Sequence, residues 1–156
     1  MKYKITFFLF AYFFLNNVCY ARVGGTINDF RDNFSTPRNL VEKASLLVTR
    51  DPERGNFLYQ FNSITGKFTI LVLANEKNRI LKQRLALPVK DKIDDKFLFD
   101  FIKESVHRSN SNVSQIVDFI KHCWQENLLP SEKYFFGYKV KIHSFEAEFG
   151  TIEISK

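Results

Sequence analysis

Glycine is scarce in this chain, with 6 in 156 residues. None forms a glycine-rich turn, so the backbone cradle that a nucleotide phosphate requires is absent from the sequence. Cysteine is scarcer, with 2. Cys19 falls in an N-terminal leader, which leaves Cys123 as the one thiol of the mature chain. An internal disulfide is thereby excluded, and the core must hold by packing alone. The three histidines, His107, His122 and His143, stand far apart. There is no His-x-x-x-His, no cysteine pair and no Asp-rich loop, so neither a metal site nor a cofactor is expected. Gly-x-Ser-x-Gly is missing, and Ser109 and Ser111 have no glycine nearby to build an oxyanion hole; no catalytic residue is assigned. The longest apolar run, Ile5 to Val18, has 14 residues and includes Asn16 and Asn17. That is short of the ~20 needed to cross a bilayer.

What is present begins with that leader. Lys2 and Lys4 form a positive start, Ile5 to Leu15 an apolar stretch, and Cys19-Tyr20-Ala21 places small residues at both cleavage-determining positions. Residues 1–21 are expected to be a secretory signal peptide cut after Ala21, with 22–156 as a single small domain and no transmembrane anchor after cleavage. A lipid-attachment box is not expected, because Asn16-Asn17-Val18 is the wrong lead for Cys19. Loss of Lys2 and Lys4 with the leader lowers the formal net charge from +6 to +4, an excess compatible with an anionic partner but more often a matter of solubility.

Aromatic residues are abundant, with 18 Phe and 6 Tyr. The stretch 57–73 reads as a β-hairpin: Phe57, Tyr59 and Phe61 alternate with polar or smaller residues, and so do Phe68, Ile70 and Val72. Ser63-Ile64-Thr65-Gly66 suits a type I turn closed by a glycine bulge, which would place Phe61 opposite Phe68. Ahead of it, Thr26 and Asp29 suit a helix start with Ile27, Phe30 and Phe34 on one face. Thr36-Pro37 suits a second start, with Leu40, Val41, Ala44, Leu47 and Val48 at helical spacing. Behind it, Arg79 to Leu87 reads as a third strand. Two amphipathic helices follow, the first capped by Asp94 or Asp95 and the second by Asn112. The tail returns to two strands reversing at His143-Ser144, which would set Lys141 against Glu146 and Lys139 against Glu148. The fold class is α+β: an antiparallel sheet of about five strands in the order ααβββααββ, with helices on one face. Two helices followed by a three-stranded meander resemble small envelope modules of the outer-membrane assembly lipoprotein type in architecture alone, and no function is carried over.

Several motifs have a chemical and a structural reading. Cys123 beside His122 suggests a thiol and its base, but helix neighbours point about 100° apart. Cys123 also falls on the apolar stripe, which favours a buried thiol. Lys133 to Lys139 interleaves lysines with aromatics, as base-stacking surfaces do. Export favours a strand with lysines on its wet side instead, so nucleic acid is not the expected partner. Asn33-Phe34-Ser35 and Asn112-Val113-Ser114 are glycosylation sequons that matter only in a eukaryotic secretory pathway. The expectation is an exported, non-enzymatic binding or accessory protein of the bacterial periplasm or cell envelope. Its partner is an unidentified macromolecule, expected to be a protein, and its candidate surface is Tyr134, Phe136, Tyr138 and Lys139. The alternatives are a secreted hydrolase-like enzyme with scattered residues such as His107, His143 and Glu146, and a secreted effector or inhibitor. Oligomeric state is not legible in the sequence.

Overall fold

The computed structural model describes residues 22–47, 56–88, 94–145 and 149–156. The leader, Glu146 and Glu148 lie outside the described residues. A short helix α1 (Ile27–Phe30) leads into a seven-stranded antiparallel sheet. Its strands are β1 (Val41–Leu47), β2 (Phe57–Asn62), β3 (Thr69–Ala74), β4 (Ile80–Pro88), β5 (Ser131–Phe135), β6 (Tyr138–Phe145) and β7 (Phe149–Ser155). Helices α2 (Asp95–Val106) and α3 (Asn110–Gln125) lie between β4 and β5. The class is α+β. The spatial order β1-β2-β3-β4-β7-β6-β5 joins two meanders, the second reversed so that its last strand pairs with the last strand of the first.

Five expectations are corrected. The sheet has seven strands rather than about five, because Val41–Leu47 and Ser131–Phe135 are strands. The stretch from Leu40 onward satisfies helical spacing, but the otherwise free edge of β2 offers it strand partners, and tertiary pairing overrides local pattern. The two-helix lead-in, and with it the architectural likeness drawn from the sequence, therefore gives way to a single winding. This runs from α1 through a π segment (Arg31–Ser35) and a 3-10 turn (Thr36–Arg38), and Asn39 at φ 52° ends it. In the β2–β3 hairpin, Phe61 faces Ile70 rather than Phe68. The expected turn is there, with Gly66 N–H donating to Ser63 O, but the Ser63 N–H also reaches Phe68 O and closes a wider loop. A slip of two residues keeps every side chain on its face. In the tail, β6 continues to Phe145, so Lys141 faces Glu153 and Lys139 faces Ser155. The second long helix starts at Asn110, not after an Asn112 cap. The Thr26–Asp29 capping box and the Asp94 cap are both present.

One face of the sheet is covered. A row of cross-strand neighbours runs Ser131, Ile142, Ile152, Leu85, Ile70, Phe61 and Glu42, and its apolar members are fully buried. Against it pack α1 through Phe30, whose ring lies 4.9 Å from Phe61, and α2 through Ser105, whose hydroxyl donates to buried Gln83 at 2.6 Å. Helix α3 contributes Val113, Ile116, Ile120 and the buried free thiol of Cys123. Two ion pairs brace this layer. Arg31 holds Glu42 of β1 through two hydrogen bonds, at 2.8 and 2.7 Å. Arg38 stacks 4.0 Å over Phe34 and reaches Asp100 of α2 at 3.0 Å.

Candidate binding surface

The opposite face of the sheet carries no helix among the described residues. Strand alternation puts Glu132, Lys141, Glu153, Arg84, Leu71, Gln60 and Lys43 in one row across all seven strands. The next row runs Tyr134, Lys139, Ser155, Lys82, Leu73 and Leu58. The face is thus divided: β2 and β3 present half-buried leucines, while β4, β7, β6 and β5 present a belt of charge.

Glu153 organises that belt. Its side chain is only 6% exposed, yet it receives Arg84 Nη2 at 2.5 Å and Lys82 Nζ at 3.2 Å. Burial pushes its pKa up, but the hydrogen bond from Arg84 and the charge of Lys82 outweigh that, and the carboxyl titrates below its usual range. A depressed carboxyl pKa stabilises the fold above the unfolded value of about 4.3, and the contribution is lost as pH falls through the folded value. Glu153→Gln is therefore expected to cost about 1.5–3 kcal/mol at pH 7. The gap from the parent should close as pH falls below about 4.3, which urea denaturation at a series of pH values would measure. Equal gaps at neutral and acidic pH would mean the carboxylate is not charged in the fold. Glu132, by contrast, is exposed; Lys139 at 3.0 Å and Lys141 at 3.6 Å hold its pKa down, but solvent makes such pairs weak.

The β5–β6 hairpin ends this belt. Its turn is Phe136-Gly137, with φ of 52° and 86°. Both values are left-handed, as the primed turns that match strand twist require. Glycine adopts this without cost, but a phenylalanine there costs about 1–2 kcal/mol. Arg108, just past α2, donates from Nη2 to Phe136 O at 3.0 Å and holds the turn. Phe136→Asn is expected to stabilise the fold by about 0.4–1 kcal/mol, read as a raised urea midpoint. A lowered midpoint would show that the ring supports the fold.

The structure separates the four residues of the candidate surface. Tyr134, 68% exposed, and Lys139 point out of the open face together, with Lys139 Nζ 5.3 Å from the Tyr134 ring centroid. Phe136, 39% exposed, sits at the hairpin apex. Tyr138 points the other way, into the covered layer, and is buried. Glu153 left no local signal to read, because its partners are 69 and 71 residues away along the chain. Arg108 was equally hidden, since its partner is a backbone carbonyl on another element.

Both sheet edges are guarded against pairing with another chain. The β1 ladder is interrupted by a bulge between Lys43 and Leu46. On β5, Lys133 points toward the covered side, over the rings of Phe119 and Phe135 at 5.6 and 5.1 Å. Bulges and inward charges are ways of blunting an edge. The scattered histidines do not converge: His107 caps α2 in the covered layer, whereas His143 lies on the open face of β6. Among the described residues, no three His, Cys, Asp or Glu side chains are grouped so as to hold a metal ion. No helix among them is long and apolar enough to cross a membrane. No protein-family model, no curated protein and no solved structure matches this chain.

Proposed function

We propose that this chain is an exported binding module of the bacterial periplasm or cell envelope, and that the open sheet face with Tyr134 and Lys139 receives a protein partner. The observation that carries the reading is the division of labour in the sheet. Every described helix packs on one side, leaving a face of cations and leucines on the other, while both edges are blunted. Lys82, Arg84, Lys139 and Lys141 share this face with two carboxylates, Glu132 and Glu153, so the belt keeps positive charge to offer an acidic partner. Tyr134 adds a large, rigid contact of the sort that anchors interfaces.

Two measurements test this. Intact-mass analysis of the protein from its native cell is expected to show an N-terminus at Arg22; a chain beginning at Met1 in the cytosol overturns the export part. The 22–156 protein, immobilised and exposed to envelope extract, is expected to retain a specific protein that Tyr134→Ala/Lys139→Glu releases. Retention of the same protein by that variant, or of none by the parent, overturns the binding part.

A further inference from the structure

We propose that the tip of the β5–β6 hairpin, with Phe136 at its apex and Arg108, Lys133 and Lys156 around it, docks onto the surface of an anionic lipid bilayer. This goes beyond the protein-binding face, with which the tip shares Tyr134 but neither Phe136 nor the cations around it.

The apex is an apolar ring placed where it costs the fold stability. Phe136 occupies a left-handed position that asparagine or glycine fills at less cost, and the residue is 39% exposed. Backbone strain held at an exposed position points to a use for the side chain. The tip is convex, an apolar point rather than a cavity, and suits a deformable interface better than a rigid pocket. Tyr134, one step down the hairpin, offers an amphipathic ring of the kind that settles at headgroup level.

Around the apex the charge is positive. Lys156 Nζ and Arg108 Cζ lie 5.7 and 6.0 Å from the centroid of the Tyr138 ring. Lys133 Nζ is 5.1 Å from the Phe135 ring, which is itself 6.4 Å from that of Phe136. Glu132, the acid on this hairpin, is engaged by Lys139 and Lys141. The crowding of cations registers on His107, next to Arg108: burial lowers its pKa, and the charges of Arg22, Arg108 and Lys103 lower it further. An exposed aromatic ringed by basic side chains combines the two attractions that hold proteins to anionic interfaces, each weak alone.

The experiment is co-sedimentation of the 22–156 protein with vesicles of phosphatidylcholine mixed with phosphatidylglycerol, and with vesicles of phosphatidylcholine alone. Sedimentation with the mixed vesicles only, reversed by added salt, is expected. Phe136→Asn is expected to weaken partitioning about tenfold without lowering its urea midpoint, and Lys133→Gln about fivefold. No sedimentation with mixed vesicles, equal sedimentation with both kinds, or unchanged partitioning of Phe136→Asn overturns the proposal. If vesicles fail while an envelope protein is retained and released by Tyr134→Ala/Lys139→Glu, the tip proposal falls and the protein-binding face stands.

Discussion

Phe30→Ala is expected to remove about 3–5 kcal/mol of folding stability, the range for deleting a fully buried aromatic. Phe30 is completely buried and links two parts of the molecule. Its ring lies 5.2 Å from Phe34 on the lead-in winding and 4.9 Å from Phe61 on β2. Phe34 continues the chain of rings to Phe101 of α2 at 6.2 Å and Phe97 at 6.1 Å, and Phe97 meets Phe68 at 4.2 Å. Alanine at position 30 therefore opens a cavity where the first segment, the sheet and α2 meet. These neighbours are held by other contacts, so collapse into the space is limited and the cost falls toward the upper end. A domain of this kind has about 5–15 kcal/mol in all. Urea denaturation should show a much lower midpoint for Phe30→Ala than for the parent. A loss under about 1 kcal/mol would mean that the lead-in segment does not belong to the cooperative fold.

Phe30 is also legible as core in the sequence alone, and the reason is local. Thr26 and Asp29 fix where the helix starts, and Ile27, Phe30 and Phe34 then fall on one side whatever lies beyond. The same holds for Phe61, Ile70 and Val72 in the β2–β3 hairpin, where strict alternation names the buried face without knowledge of the partner. Even the misplaced register there left the faces intact. What the sequence could not settle was decided by distant chain. Val41 to Leu47 satisfies helical and extended spacing alike, and only the vacant edge of β2 chooses between them. Lys139 and Lys141 could meet acids in either direction along the chain. The register that satisfied them with Glu146 and Glu148 was as good locally as the one in which Glu132 answers both. For the candidate surface, composition read 133–139 as one strand, whereas Tyr134 and Lys139 meet across a hairpin on a shared exposed face. It could not reveal that Phe136-Gly137 is the turn, because phenylalanine is the wrong residue for a left-handed position. That local misfit is what makes the apex a candidate for function rather than for folding.

Gly150→Ala is expected to cost about 3 kcal/mol, at the top of the usual range for overpacking. Glycine in a strand ordinarily gains a little from replacement by alanine, because the unfolded chain loses freedom. Here the sign is reversed by a side chain from α3. Gly150 lies on the covered face of β7, and the Trp124 indole rests directly on it; an added Cβ would sit 2.7 Å from Cζ2 and 2.8 Å from Cζ3. Neither is the free end of a flexible chain, so relief requires the whole ring to move, and with it the packing of α3 on β6 and β7. Trp124 is the only tryptophan in the chain, so its fluorescence reports this contact alone. The emission of Gly150→Ala should shift to the red as the ring is displaced toward solvent, together with a lower urea midpoint. Trp124→Leu should remove the obstruction, and the double variant should then be within about 0.5 kcal/mol of Trp124→Leu by itself. That coupling separates a collision between these two residues from a general intolerance of side chains on β7. If Gly150→Ala costs the same in both backgrounds, the indole does not rest on the strand, and α3 is seated differently over the sheet.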